Sequence, residues 1–235
     1  MKMLRMNKKL RLAVLTLGIG LAVGFGAVSA ADNNETSTLT GDVVEYNTQS
    51  GVITATGNVV MTKGDAVMRG AKAVYNSKTQ HGQVTGGVVA DKGDMHMTCA
   101  VFTADGQSHL VATGDVHGVK ADKTFAGPLA EYFTDQDYVR MVQGGTITTA
   151  DGTFTADHME GWLKEDHFKG IGSAHIVSPP RSFEGGGDQA EYFGKDSGKA
   201  ILTGNAWAIQ ENNTLKSQVL TVYLADNGNG QAKAE

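Results

Sequence analysis

The chain has little of several residue types that constrain a fold or carry chemistry. Among its 235 residues there is one cysteine, Cys99, so no disulfide can form within the chain. There are only three prolines, and aromatic residues make up 7% of the sequence. With 31 glycines and abundant valine, threonine and alanine, this composition favours many short strands joined by tight turns.

Sequence signatures of enzymes are also missing. The chain has no nucleophile-elbow motif, no phosphate-binding loop and no dinucleotide-binding glycine motif. The histidines form no H-x-x-x-H or H-E-x-x-H pair, and we interpret them as surface residues: His81, His96, His109, His117, His158, His167 and His175. We therefore expect a protein that is not an enzyme, with no catalytic residues, no metal site and no cofactor.

A long apolar run occurs only at the N-terminus. Five basic residues in the first eleven positions precede the uncharged run 12–28, and Val28, Ser29 and Ala30 supply small residues at its end. This order is typical of a secretory signal peptide, so we expect cleavage near Ala30 or Ala31. The alternative is an uncleaved anchor helix, because the run approaches the ~20 residues that span a bilayer.

Cleavage would make the protein strongly acidic. The formal net charge is −5 for the whole chain, and it becomes −10 when the five basic residues of segment 1–30 leave. Such a protein is not expected to bind nucleic acid or anionic surfaces through a general positive field. We predict a signal peptide at 1–30, a short polar linker at 31–38, a β domain at 39–225 and a disordered tail at 226–235.

Three residue patterns recur with nearly constant spacing. The first is a large apolar residue, any residue and then a small one, with successive gaps of 29, 28, 29, 29 and 32 residues. Its leading residues are Met68, Met97, Phe125, Phe154, Phe183 and Leu215. The second is an aromatic residue that ends a short strand: Tyr46, Tyr75, Phe102, Tyr132, Trp162, Tyr192 and Tyr223. The third is a glycine that we expect to open a new strand: Gly57, Gly86, Gly114, Gly144, Gly172 and Gly204.

These ladders predict about six copies of a strand-turn unit of roughly 29 residues. Within a unit the apolar residues alternate with a period of two, which is typical of half-buried strands. One unit cannot cover its own apolar face, so successive units should stack as they do in solenoids and jelly rolls. Cys99 occupies the small-residue position of the first pattern, and we interpret it as a buried structural thiol.

The segments Gly41–Tyr46 and Gly51–Met61 carry a family resemblance. Together they form a short strand that ends in Tyr46, a turn, a strand that runs into Gly57-Asn58-Val59 and a further apolar strand. This order resembles the OstA-like, LptA-type proteins of lipopolysaccharide transport. Looser copies continue to Tyr223. The resemblance implies an all-β fold, a twisted open β-jelly roll, with an apolar groove for lipid acyl chains. It also implies end strands that pair edge to edge with neighbouring jelly rolls.

The resemblance and the alternation together select candidate groove residues. Methionine adapts its shape to variable apolar ligands, which suits a lipid path. The candidates are Val59, Met61, Met68, Val88, Met95, Met97, Val116, Phe125 and Phe154. Each could equally be a core residue with no lipid contact.

Two repeats depart from the pattern. In the sixth repeat Ala206 and Ala208 stand where Val59 and Met61 stand in the first, while Trp207 has the opposite parity. Thr146 and Thr148 raise the same question in the fourth repeat. Either these strands are out of register or the groove is locally wider.

The resemblance implies a periplasmic bridge protein that carries lipopolysaccharide from the inner to the outer membrane. Its expected partners are the lipid A acyl chains, an inner-membrane export complex, the jelly-roll domain of an outer-membrane translocon and further copies of itself. Three alternatives remain: a membrane-anchored LptC-type partner of the same pathway, a structural or adhesive β-repeat protein without lipid, and a β-helical polysaccharide enzyme. The last would need clustered carboxylates, whereas the recurring positions are apolar or small.

Overall fold

The computed structural model describes residues 37–106, 108–150, 152–165, 167–193, 197–223 and 232–234. The predicted signal peptide and residues 31–36 of the predicted linker lie outside this part, as do residues 224–231 and 235 of the C-terminal segment. In the part described, no helix has the length and apolar character needed to span a bilayer.

The chain divides into two compact units. Unit 1 contains residues 37–121 and 131–135, and unit 2 contains residues 122–130 and 136–235. The strands of unit 1 are β1 (Ser37–Thr40), β2 (Val43–Asn47), β3 (Val52–Lys63), β4 (Ala66–Asn76), β5 (His81–Lys92), β6 (Met95–Asp105) and β7 (His109–Lys120). Strand β8 (Lys123–Phe133) contributes residues 123–130 to unit 2 and 131–133 to unit 1. Unit 2 continues with β9 (Tyr138–Met141), β10 (Gly145–Thr149), β11 (Gly152–Ala156), β12 (His158–Trp162), β13 (His167–Ser178), a 3₁₀ turn (Pro179–Arg181), β14 (Phe183–Phe193), β15 (Lys199–Gln210), β16 (Asn213–Tyr223) and β17 (Ala232–Ala234).

The repeat predicted from the sequence corresponds to successive pairs of long strands. The pairs begin at residues 52, 81, 109, 138, 167 and 199, and in the fourth pair each strand is split in two. The pairing is antiparallel throughout the described residues, from β1–β3 and β2–β3 in unit 1 to β15–β16 in unit 2. The all-β jelly roll built from about six repeats is confirmed.

In five of the six pairs the first long strand bends near its middle at a two-residue corner, where both residues have positive φ. In β3 the corner is Gly57 and Asn58, with φ of 73° and 46°, where the register with β4 shifts between Thr56 and Val59. A bulge of this kind keeps the ladder paired on both sides while the strand turns. The prediction that these glycines open new strands is therefore wrong for most of them. Of the six, only Gly144 directly precedes a strand, β10, and the other five lie within strands. The prediction failed because a bulge and a turn use similar residues.

At each of these five corners the glycine lies against a side chain of the preceding strand or of the residue directly before that strand. The carboxylate of Asp42 accepts two hydrogen bonds from the amide nitrogen of Asn58, at 3.2 and 3.0 Å. At other corners an alanine methyl group lies against the glycine instead of a carboxylate. At Gly86 this is the methyl group of Ala71, which would lie 2.5 Å from a Cβ added to the glycine. The carboxylate arrangement recurs between Asp188 and Asn205 and between Asp157 and Ser173.

The corners give unit 1 two layers with buried side chains between them. The first layer contains the strand segments before the corner of β3, β5 and β7 and their partners. The second layer contains β1 and residues 59–63, 66–70, 88–92, 95–99 and 116–120. Side chains that point inward from both layers are buried: Ile53, Tyr75, Phe102 and Leu110 from the first, and Leu39, Val59, Met68 and Met97 from the second.

Unit 2 has its own core, in which alanines pack beside larger side chains. Ala174, Ala190, Ala206 and Ala208 are buried in it beside larger side chains. The larger buried side chains are Met141, Met159, Phe183, Leu202, Leu220 and Val222. Glycines make room for some of them, since a Cβ on Gly185 would meet Phe183 at 2.8 Å and Leu202 at 3.1 Å.

The structure settles the two repeats of doubtful register. Ala206 and Ala208 are 1% and 3% exposed, so they occupy the inner positions and Trp207 points outward. In the fourth repeat Ile147 packs against the core of unit 2, so Thr146 and Thr148 take the outer positions.

Strand residues also lie in two segments predicted outside the β domain. Strand β1 begins at Ser37, within the predicted linker 31–38, and pairs with the end of β3. Residues Ala232–Ala234 of the predicted disordered tail form β17 and pair with Leu220, Thr221 and Val222 of β16. The edge of β16 offers unpaired backbone groups to these three residues, while the boundary of the predicted tail at residue 226 stays a prediction.

The corner geometry predicts different costs for two neighbouring glycines. Gly86 and Gly87 have φ of 86° and 72°, but only Gly86 has a neighbour that an added methyl group would meet. We expect Gly86→Ala to lower the free energy of unfolding by about 3 kcal/mol, combining left-handed backbone strain with a steric clash. Gly87→Ala, the matched control, should lose about 1–2 kcal/mol. Urea unfolding measures both, and equal losses would contradict the corner contact.

Candidate functional site

The inner face of the second layer of unit 1 brings together most of the predicted groove residues. Six of the nine candidates lie on it with at most 5% of their surface exposed. They are Val59, Met61, Met68, Val88, Met97 and Val116. The alternation rule therefore selected inward-facing positions here correctly, although whether they contact lipid is a separate question.

Direct strand pairing arranges three of these side chains, together with Leu39 and Ala90, in a continuous row. Leu39 pairs with Met61, and Met61 pairs with Met68. The row continues through Ala90, the partner of Met68 and of Met97. Residues directly opposite on antiparallel strands point to the same face, about 5 Å apart. The row is thus an unbroken apolar track of three methionines, one leucine and one alanine across five strands.

Met95 lies at the end of this surface and not in its middle. It begins β6, pairs with Lys92 and Lys120, and is only partly buried. Its parity matches Met97, so it points to the same face at the end where the hairpin turns lie. The apolar interior thus approaches solvent here.

Phe125 and Phe154 belong to unit 2. Both are direct partners of Ile147, and Phe154 also pairs with Ile176, so four large apolar side chains form a second row. A Cβ on Gly170 would lie 2.5 Å from the Phe154 ring, which shows that the ring points into the unit. Phe125, Phe154, Ile147 and Ile176 are all partly exposed, unlike the methionine row.

Sequence reasoning did not assign the opposite wall. The first layer of unit 1 faces inward with Ile53, Tyr75, Val84, Phe102 and Leu110, each at most 3% exposed. Two of these, Tyr75 and Phe102, belong to the recurring aromatic residues of the sequence. This recurrence was the signal that could have identified the inner face of the first layer. Burial raises the pKa of Tyr75 above its usual value, so its hydroxyl stays neutral at physiological pH.

The histidines lie on outer surfaces or at strand ends, beside carboxylates. His96 Nδ1 is 2.7 Å from Asp91 Oδ1, and Arg69 contacts the other oxygen of that carboxylate at 2.9 Å. The His96 hydrogen bond, followed by the Arg69 contacts, holds the pKa of Asp91 below its usual value. His167 is less exposed and stacks between Trp162 and Phe193. Within the described ranges no group of three or more His, Cys, Asp or Glu residues could hold a metal ion.

The inner surfaces of both units are apolar, because they carry hydrocarbon and thioether groups. Comparison with known proteins agrees with this character. Residues 38–167 match the family described as LptA/(LptD N-terminal domain) LPS transport protein. This segment is more than half of the chain, and the protein belongs to this family.

Among solved structures, the chain is similar to LptH, the LptA-homologous periplasmic component of the lipopolysaccharide transport device of Pseudomonas aeruginosa. The identity is 15% and the TM-score is 0.35, and the match covers 61% of this chain and 95% of that one. No curated protein matches the chain.

Cys99 lies on the inner face beside this surface, and its thiol is 3.4 Å from the carbonyl oxygen of Val101. Burial raises the pKa of the thiol to about 11. Since the thiolate is the reactive form, we expect a thiol reagent at pH 8 to label the folded protein roughly 100-fold more slowly than the urea-unfolded chain. The sole cysteine makes the signal unambiguous, and Cys99→Ala supplies the blank. Equal labelling rates would show that the second layer opens freely.

Proposed function

We propose that the protein is a periplasmic carrier that holds the acyl chains of lipopolysaccharide between the two layers and passes the lipid from the inner to the outer membrane. The observation that carries the proposal is the methionine row of the second layer. This row lies within the segment that matches the transport family. The sugar portion of the lipid would remain in water.

The energetics favour binding of the lipid through its acyl chains. Burying a lipid chain contributes ~0.8 kcal/mol per methylene, so a chain of about a dozen carbons gives roughly 10 kcal/mol as an upper bound. An exposed ion pair contributes only about 0–1 kcal/mol. A carrier of formal net charge −10 after loss of residues 1–30 can thus hold an anionic glycolipid through its hydrocarbon chains.

The buried state of the methionine row sets a requirement on loading. Met61, Met68 and Met97 are 5%, 2% and 3% exposed, so the side chains themselves fill the space between the layers. An acyl chain must displace them. Methionine is unbranched and has three rotatable side-chain bonds, so it can move aside at low cost and repack around the chain.

The strand edges support assembly with partners. In the described part of the chain β2 pairs with β3 alone, and residues 213–219 of β16 have β15 as their only neighbouring strand. Unpaired edges accept a strand from another protein by β-augmentation. We propose that jelly-roll domains of the inner-membrane export complex, of the outer-membrane translocon and of further copies pair at these edges.

A membrane-anchored member of the same pathway is the second candidate. The apolar run 12–28 favours it if the run is retained as an anchor. The intact mass of the exported protein decides between the two, since the carrier lacks residues 1–30 or 1–31.

The carrier proposal predicts which positions contact lipid in cells. With a photoreactive residue at Met61, Met68 or Phe154, irradiation should yield adducts with lipopolysaccharide, because these side chains point inward. Thr62 and Arg69 are the matched controls, adjacent in sequence but on the outer face, and they should yield none. Adducts are detected by their altered mobility and by antibody to the lipid.

If cells that export the lipid give no adduct at any inward position, the carrier role is wrong and a purely structural repeat protein replaces it. Adducts of equal yield at inward and outward positions would indicate surface adsorption, which also contradicts the proposal.

A further inference from the structure

Three strands of unit 1 end in the same pattern, which the sequence ladders did not reveal. After the corner, β3, β5 and β7 each read valine, any residue, a smaller or flexible residue, any residue and lysine. The patterns are Val59-x-Met61-x-Lys63, Val88-x-Ala90-x-Lys92 and Val116-x-Gly118-x-Lys120. The lysines recur at intervals of 29 and 28 residues, in phase with the fold.

The lysines have inward parity. Val59 and Met61 are buried on the inner face, and Lys63 follows at the next position of the same parity. The same holds for Lys92 after Val88 and Ala90. A lysine at such a position can lay its hydrocarbon stem along the apolar surface and hold its ammonium group in water. Lys63 and Lys92 are half-buried and Lys120 is exposed, as this arrangement requires.

Strand pairing places the three lysines along one end of the second layer. Lys63 pairs with Ala66, and Met95 pairs with both Lys92 and Lys120. Successive lysines are thus two strands apart, or roughly 10 Å. They alternate with Ala66 and Met95, so each charge adjoins an apolar side chain. We call Lys63, Lys92 and Lys120 the lysine rim.

No acid neutralises the rim directly. In the part of the chain that the structure describes, none of the three lysines makes an ion pair within 4.0 Å, whereas Arg69 on the outer face pairs with Asp91. Asp65, Asp94 and Asp122 follow two residues after each lysine, but they are exposed residues of the turns. The rim lysines are therefore available to an external anion.

Unit 2 lacks this feature. The equivalent strand ends of β10, β13 and β15 carry Thr149, Ser178 and Gln210. All three are uncharged. The positive charge thus belongs to unit 1, where the methionine row lies.

We propose that the lysine rim binds the phosphate groups of an amphiphile whose acyl chains enter between the layers of unit 1. The inference rests on the proposed lipid-carrying function and adds a polar subsite to it. Lysine ammonium groups bind phosphate as point charges, and their flexible stems tolerate several headgroup positions. The rim would fix which way the amphiphile faces: charged head at the hairpin turns, chains toward the corners.

The test compares two amphiphiles of equal chain length, dodecyl phosphate and a neutral dodecyl glycoside, both below their micelle concentrations. Binding is measured by calorimetry to the exported protein and to the triple variant Lys63→Gln/Lys92→Gln/Lys120→Gln. A matched variant, Lys72→Gln/Lys164→Gln/Lys216→Gln, removes the same charge from three exposed lysines away from the rim. We expect the rim variant to bind dodecyl phosphate roughly tenfold more weakly, with the matched variant within twofold of the parent. Binding of the glycoside should be unchanged in both.

Equal weakening of dodecyl phosphate in both variants would show a general field effect and overturn the rim. Unchanged binding in the rim variant would overturn it as well. Inorganic phosphate alone should not saturate the protein at millimolar concentration, because the chains supply most of the affinity. If it does, the rim is a free-phosphate site and not part of a lipid site. A glycoside that fails to bind the parent protein would refute the lipid-carrying function itself, which keeps the two failures distinguishable.

Discussion

The mid-strand corner is the constraint on which the rest of this fold depends. A strand of eleven or twelve residues would otherwise continue in one sheet, and its apolar face would need a separate cover. The left-handed pair at Gly57 and Asn58 lets one strand serve both layers, because the ladder resumes after the bulge. Repetition of the corner in alternate strands aligns the bends, so the two halves of the same strands cover each other. The buried interior exists because the corners are in phase.

In unit 1 this geometry forms an apolar interior from small, β-branched and flexible side chains. The residues that face inward beside the corner are small or β-branched, such as Ala55, Val59 and Val88. Flexible methionines occupy the positions further out, toward the hairpin turns. Rigid side chains thus hold the bend, and adaptable ones line the part that a ligand would enter. Unit 2 differs, because larger side chains pack there against alanines and glycines. Its row of paired apolar side chains, which includes Ile147 and Phe154, is partly exposed.

Much of this could be predicted from the sequence, for identifiable reasons. The period of about 29 residues is visible because every repeat needs the same glycine corner and the same inward apolar residues. Inward parity was correct at Val59, Met61 and Met97 because alternation is unbroken between corner and turn. The location of the glycines within strands could not be predicted, since a bulge and a turn use the same residues.

The lysine rim was missed because lysine at a strand end resembles an ordinary solvated turn residue, and only register shows that Lys63, Lys92 and Lys120 share a face. Strand β17 was missed because it lies in an Asn-Gly-rich, charged segment and has no apolar pattern apart from its pairing with β16.

The most direct measurement uses the methionines themselves. In the protein lacking residues 1–30 six methionines remain, four in unit 1 and two in unit 2. Methyl-labelled methionine gives one NMR signal for each, assigned by single substitution to leucine. The account predicts that titration with lipopolysaccharide shifts the signals of Met61, Met68 and Met97, because an acyl chain must displace these side chains. Met141 and Met159 report on unit 2 in the same spectra. Saturable lipid binding that leaves Met61, Met68 and Met97 unchanged would contradict the account.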